Sequence, residues 1–151
     1  MKPSDYVGIT SILSDSTFRF SVSTIDDSYF CFTDNAIMKE LIESNIEFSN
    51  RINIALTDML TRYFDKIIDL TQKQMPGRIA VALLYLYEEI YKDDGFDIFV
   101  TRQELSELTG MTKDSAGRVI KEFSKEGIIH ARGKYIDVLD LKKLKHIAQF
   151  G

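Results

Sequence analysis

Residues 101–127 read TRQELSELTGMTKDSAGRVIKEFSKEG, and how this stretch folds decides how the whole chain is read. Thr101-Arg102-Gln103-Glu104 has the form of a capping box: the Thr101 hydroxyl accepts from the Glu104 N–H, and the Glu104 carboxylate reaches back. Leu105 and Leu108 then face a core. Gly110 offers the positive φ that a sharp reversal needs. Ser106 is small, four residues earlier, where a second helix must come close. Thr112 can cap that second helix, which runs from Lys113. Its buried face is Ala116, Val119, Ile120 and Phe123, at spacings of three, one and three. Lys113, Asp114, Ser115 and Arg118 lie towards the other side, near its N-terminus. Two short amphipathic helices around a tight turn make a helix-turn-helix, whose second helix meets base edges in the major groove. Arg suits guanine O6/N7, and Asp accepts from a cytosine amino group. Lys113, Asp114, Ser115 and Arg118 are therefore the expected base-reading set. Thr112 and the helix N-terminus suit phosphate.

Gly127 is expected to stop the second helix. Ile128–Val138 then reads as a β-hairpin turning at Arg132-Gly133, with Arg132 and Lys134 at its tip, placed for phosphate. With Phe96–Val100 as a short strand before the motif, the hairpin makes a small sheet, and the domain reads as a winged helix. Asp140 caps a last helix that carries Lys142, Lys143 and Lys145. Lys121 and Lys125 read as solvated, and the lone His130 as structural. The bland alternative for the stretch is a helical hairpin with solvated charges, or a winged helix that binds protein.

Upstream, Arg78–Tyr87 is apolar on nearly all sides and is expected to be the buried helix of this domain. Met75-Pro76-Gly77 breaks the helical pattern before it and is the expected linker and hinge, since proline lacks an N–H and glycine adds freedom. Asp93-Asp94-Gly95 reads as a turn. A long helix is expected from a cap at Ser44 or Asn45 to about Lys73. Ile52, Leu56, Met59 and Tyr63 recur along it at four, three and four, a coiled-coil-like seam. Leu60, Phe64 and Ile68 form a second stripe beside it. Two stripes need two partners. One is read as the chain's own domains and the other as the same helix of a second subunit, with Ile52, Leu56, Met59 and Tyr63 as the dimer interface. The alternative is a core helix packed within one protomer.

Thr33-Asp34-Asn35 caps a short helix over roughly 35–43. Before it, Tyr6–Leu13, Phe18–Ser23 (alternating) and Tyr29–Phe32 read as strands separated by turn residues. Three such strands are marginal alone, so a larger sheet or a covering partner is expected.

The chain has 151 residues, 44% hydrophobic and 28% charged, ordinary for a globular protein. Residues 1–100 hold 9 Lys+Arg against 16 Asp+Glu, net −7, whereas residues 101–151 hold 10 against 7, net +3. A basic C-terminal third suits a module that faces phosphates with one end only. The lone Cys31 allows no internal disulfide and no multi-cysteine metal or iron-sulfur site. No apolar run approaches the ~20 residues that cross a bilayer, and no signal peptide is visible. A cytoplasmic location without membrane attachment is expected. Glu88-Glu89 and Asp93-Asp94 are carboxylate pairs, but no nucleophile–base pair, phosphate loop or metal spacing accompanies them. Catalytic and metal residues are therefore expected to be none.

These residues resemble the Crp/Fnr family of bacterial transcription regulators. The resemblance rests on Gly77-Arg78-Ile79-Ala80 with Leu83-Leu84, on Thr101–Leu105, on Gly110–Arg118 and on Gly133-Lys134. It implies an α+β chain: a partial β-roll, an incomplete cyclic-nucleotide-binding-like domain, over residues 1–43; a dimerisation helix over 44–74; and a winged helix-turn-helix over 75–151. It further implies Lys113, Asp114 and Arg118 at base-reading positions, and Arg102, Gln103, Thr112 and Arg132 at phosphate-contacting ones. The family's reading motif is Arg-Glu-Thr-Val-Gly/Ser-Arg; here Lys113-Asp114-Ser115-Ala116-Gly117-Arg118 stands in its place, with other arm lengths and geometry. Phe20-Ser21-Val22 stands where the family's cyclic-nucleotide cassette has Arg-Ser-Ala, and no Gly-Glu pair appears. Arg19, next to it, points to the opposite strand face. No cofactor is therefore expected: no cyclic nucleotide, no iron-sulfur cluster and no haem. By this resemblance the first half of the β-roll is expected to be missing, as in a regulator fragment.

The expected function is sequence-specific DNA binding by a homodimer, with double-stranded DNA as partner and RNA polymerase as a further candidate. The alternative is a dimerising protein-interaction module without its own effector response.

Overall fold

A computed structural model describes residues 6–14, 17, 21–22, 24, 27–91 and 97–151. The chain divides into two compact units, and the division falls between Tyr63 and Phe64, within the longest helix.

The N-terminal unit holds α1 (Ile9–Ser14), α2 (Asn35–Ser44) and the first part of α3 (Ile46–Gln72). Both later helices start on local caps. The Asp34 carboxylate accepts from the Ala36 N–H at 2.7 Å, and the Asn45 side chain accepts from the Phe48 N–H at 3.0 Å. Ile9 and Ile12 of α1, Met38 of α2 and Ile52 of α3 are buried together, with Ile42, Phe48, Leu56 and Met59 packed around them.

Here the structure corrects two readings. Tyr6–Leu13 is not a strand: from Ile9 it is helical, because Ile9 and Ile12 stand three residues apart, a helical rather than a strand spacing. Residues Tyr29–Phe32 are irregular and exposed, with Tyr29 and Phe32 almost fully in solvent. An isolated strand has no neighbour to take its N–H and C=O groups. The alternation over Phe18–Ser23 lies mostly outside the described residues.

The C-terminal unit is built on α4 (Met75–Tyr85), extended by a π-helical turn at Leu86–Ile90. Ile79, Ala80, Leu83 and Leu86 of this run are essentially without exposure. Around it pack α5 (Arg102–Thr109), α6 (Lys113–Lys125) and α7 (Leu141–Phe150). The core is completed by Ile98, Leu105, Ile120, Phe123, Ile128, Ile129 and Leu144. Burying each such side chain contributes about 1.5–3 kcal/mol by transfer alone.

A three-stranded antiparallel sheet closes one side: β1 (Asp97–Phe99), β2 (Ile129–Arg132) and β3 (Tyr135–Val138), in the order β1-β3-β2. Ile98 and Ala131 both register on Ile136, which is buried. The hairpin turns at Gly133-Lys134, one residue beyond the expected turn, with Gly133 at φ 64°. The fold class is α+β, a winged helix-turn-helix preceded by a long helix.

Met75-Pro76-Gly77 is not a linker. It forms the first turn of α4, where proline's missing N–H has no helical partner to lose. Gly77 is buried: a Cβ on it would meet the Gly151 carbonyl carbon at 2.6 Å. The break between α3 and α4 is confined to Lys73-Gln74, and the Arg78 Nε donates to the Lys73 carbonyl at 2.9 Å across it. The Asp93-Asp94-Gly95 turn lies outside the described residues.

Candidate nucleic-acid interface

The capping box forms as the sequence requires. Thr101 Oγ1 accepts from the Glu104 N–H at 3.1 Å, and Glu104 Oε2 accepts from the Thr101 N–H at 2.7 Å. The Thr101 hydrogen bonds hold the Glu104 carboxyl below its ordinary range. At the other end of α5 the chain reverses through Gly110, at φ 61° and ψ 36°, and the Met111 N–H donates to the Ser106 carbonyl at 3.0 Å. Ser106 is buried, consistent with a small residue where α5 and α6 meet.

Thr112 caps α6, its Oγ1 accepting from the Ser115 N–H at 3.2 Å. Ala116, Val119, Ile120 and Phe123 are buried, as their spacing predicts, and Gly117 is buried beside them. The opposite side leaves Lys113, Asp114 and Arg118 exposed, with Ser115 partly exposed. One group is drawn together: Thr112 donates to Ser115 Oγ at 3.0 Å, and Arg118 Nη2 donates to the same oxygen at 3.2 Å.

The expected phosphate-contacting residues are distributed over α5 and the wing. Arg102 and Gln103 are exposed on the first turn of α5. The Arg102 stem lies alongside α6, its Cδ 3.9 Å from where a Cβ on Gly117 would stand. The Gln103 amide donates to Glu107 Oε1 at 2.7 Å. On the hairpin, Arg132 pairs with Asp137 at 3.0 Å. Lys134 is exposed, its Nζ 5.4 Å above the Phe99 ring, which also meets Tyr135 edge-on. Two cations of the last helix are also paired: Lys143 with Glu126 at 2.8 Å and Lys145 with Glu88 at 2.7 Å. The second pair engages one carboxylate of the Glu88-Glu89 pair; Asp93-Asp94 lies outside the described residues.

Of the four residues expected in a dimer seam, three are taken up inside the protomer. Ile52 is buried against Ile9, Ile12 and Met38, and Leu56 and Met59 pack on the same cluster. Tyr63 alone stays exposed. The reason is that α1 folded as a helix covers this stripe. The second stripe stays exposed: Leu60, Phe64 and Ile68 are 52%, 56% and 48% exposed, and Ile67 beside them is 55% exposed.

Sequence reading missed the residues that join α3 to the helix-turn-helix within the C-terminal unit. Lys66 Nζ donates to the Leu108 carbonyl at the end of α5, and Lys73 Nζ donates to the Ala148 carbonyl of α7. Between them Leu70 reaches the turn, its Cδ2 3.3 Å from a Cβ built on Gly110. Burial holds the Lys66 ammonium below its ordinary range, opposed by Asp69. Lys66, Leu70 and Lys73 are spaced four and three apart, so one helical face was legible, but its carbonyl partners were not.

No helix among the described residues is long and apolar enough to cross a membrane. Residues 77–147 match the Crp-like helix-turn-helix domain. The chain is 30% identical to the cAMP-activated global transcriptional regulator Vfr of Pseudomonas aeruginosa, over 66% of this chain and 48% of that protein. It is 26% identical to a CRP-like cAMP-activated global transcriptional regulator of Mycobacterium tuberculosis, over 99% of this chain and 68% of that one. The chain thus spans about half to two thirds of these relatives. Among solved structures, a CRP/FNR-family transcriptional regulator from Thermus thermophilus superposes with a TM-score of 0.63 at 29% identity, covering 68% of this chain and 55% of that one. FixK2 of Bradyrhizobium japonicum shares the fold, with a TM-score of 0.69 at 15% identity over 75% of this chain and 58% of that chain. Residues 77–147 thus form a Crp-like helix-turn-helix domain, and the chain along its length is similar to transcription regulators of the CRP/FNR family.

Proposed function

We propose that the protein is a sequence-specific DNA-binding regulator that acts as a homodimer, with α6 of each protomer in the major groove of a two-fold site. The observation that carries the reading is the N-terminal half of α6. Lys113, Asp114 and Arg118 stand exposed on a capped helix whose opposite face is locked into the core. Arg118 is the guanine reader in this proposal, Asp114 an acceptor for a cytosine amino group, and Lys113 a second base contact. Arg102, Gln103, Thr112, Arg132 and Lys134 are assigned to phosphate. Arg132 would have to loosen from Asp137 to take that role, and Thr112 would take it through its main-chain N–H, since its hydroxyl hydrogen is given to Ser115.

The second copy is proposed to dock on the exposed stripe of α3. Leu60, Phe64 and Ile67 are spaced four and three apart, the repeat of a two-helix seam, and Tyr63 and Ile68 flank them. No cyclic nucleotide is assigned to this chain, because Phe20-Ser21-Val22 offers no arginine for its phosphate; adding cyclic AMP is expected to leave DNA affinity unchanged.

Selection from a random-sequence duplex pool tests the reading. It is expected to recover a two-fold site with half-sites about 34 Å apart on one face of the duplex. Arg118→Ala is expected to cost about 1–3 kcal/mol on that site and to relax preference at one base pair per half-site. A gel shift unchanged by Arg118→Ala overturns the assignment of α6. A second reading, a dimerising protein-interaction module, is favoured by the net charge of −7 over residues 1–100. It predicts no salt-dependent DNA affinity, whereas phosphate contacts predict a steep one.

A further inference from the structure

Ser115 stands among the base-reading positions, yet its hydroxyl is already engaged. A serine hydroxyl has two acceptor sites and one hydrogen. One acceptor site takes the Thr112 hydroxyl at 3.0 Å, and the other takes Arg118 Nη2 at 3.2 Å. The hydroxyl is thus engaged within the helix from both sides rather than presented to a base. What the arrangement does achieve is to tie an exposed arginine to a fixed point. Thr112 is held by its own capping bond to the Ser115 N–H at 3.2 Å. Thr112, Ser115 and Arg118 follow one another at spacings of three, on one edge of the first turns of α6. Arginine is a long side chain with much rotamer freedom to lose. Its planar fork reads guanine only when it lies in the plane of the base.

We propose that Ser115 is a positioning residue: it anchors the Arg118 guanidinium to the helix cap and so sets base specificity without reading a base itself. This rests on the reading of α6 as the DNA-reading helix. The specificity of the protein at the Arg118 base pair then depends on a hydroxyl that leaves phosphate affinity untouched.

Ser115→Ala tests this cleanly. The capping bond to Thr112 uses the Ser115 main-chain N–H, so it survives, and alanine favours helix more than serine does. Far-UV circular dichroism and the thermal midpoint are expected to be equal or higher. Binding is measured by titration on the duplex selected by the unmodified protein and on duplexes changed at each position in turn. Ser115→Ala is expected to lose about five- to tenfold in discrimination at the one base pair that Arg118→Ala also affects, the order of one ordinary net hydrogen bond. Affinity for a random duplex, and its salt slope, are expected to stay the same. Ser115→Thr, which keeps the hydroxyl, is expected to restore discrimination. If Ser115→Ala discriminates as well as the unmodified protein while Arg118→Ala does not, the positioning role is overturned and the reading of α6 stands. A uniform loss across all duplexes likewise overturns it, showing Ser115 to be an ordinary phosphate contact. If Arg118→Ala has no effect at any position, both readings fall together.

Discussion

Gly117 and Gly110 lie seven residues apart and face opposite constraints. Gly117 is in the interior of α6 with helical backbone, and a Cβ there would meet only the Arg102 Cδ, at an ordinary 3.9 Å. Gly117→Ala is therefore expected to stabilise the fold by about 0.5–1 kcal/mol, through helix propensity and a less free unfolded chain. Gly110 has φ 61°, and its Cβ would press on Leu70 at 3.3 Å. Gly110→Ala is expected to destabilise by about 1–2 kcal/mol, from left-handed backbone strain. Urea unfolding of the two variants checks the opposite signs. Glu104 adds a pH dependence. Its folded-state carboxyl sits below the ordinary value of 4.5 because Thr101 bonds the ionised form. Its contribution is complete above that ordinary value and is lost as pH falls through the folded-state value. The stability gap between the unmodified protein and Glu104→Gln is expected to be flat from pH 7 to about 5 and to shrink below that. A gap unchanged down to pH 3 would falsify the capping-box account. Both the box and the turn were legible in sequence because their partners lie within five residues. The Ser115–Arg118 bond is as local, but rotamer choice is not written in spacing, so only the structure displays it.

At the scale of elements, α3 separates what periodicity can tell from what it cannot. The repeat of apolar residues along it predicted two stripes with two partners, and the helix is there over Ile46–Gln72. Which stripe faces the protomer depends on α1, whose Ile9 and Ile12 meet Ile52 from some forty residues away in sequence. Nothing in α3 itself encodes that choice. Tyr6–Leu13 was open to a strand reading because its apolar residues run nearly unbroken, and a short run of this kind does not distinguish helix from strand. The opposite error occurred at Pro76-Gly77, where two residues that break a helix interior are well suited to a first turn. The C-terminal unit was legible through its caps, glycines and binary pattern, all of which agree with the fold they sit in. The corrected packing has a measurable consequence. Ile52→Ala leaves a cavity at a position 2% exposed, and it is expected to cost about 2–5 kcal/mol. The loss is expected in thermal unfolding, at a protein concentration where the association state does not change.

For the molecule as a whole, one stripe of α3 serves folding and the other is the pairing surface of the proposed dimer. Ile52, Leu56 and Met59 hold the N-terminal unit together. Leu60, Phe64 and Ile67 are each more than half exposed among the described residues, and together they present more apolar surface than single exposed residues ordinarily do. If a second copy covers them, an aspartate in the middle of the stripe must separate the copies, because the symmetry-related seam would bring like charges together in an apolar setting. Phe64→Asp is therefore expected to give a folded monomer in light scattering, with its circular dichroism retained, since Phe64 is more than half exposed. Each monomer keeps an intact reading head, so it should still bind one half-site. It loses the second head, and with it the effective concentration that links the two contacts, worth about 10²–10⁴ in affinity. On the selected duplex, Phe64→Asp is then expected to bind at least a hundredfold more weakly, with a shallower salt slope because half the phosphate contacts are gone. On a single half-site duplex it should match the unmodified protein. A variant that stays dimeric, or that loses affinity equally on both duplexes, would place the pairing surface elsewhere than on the exposed stripe of α3.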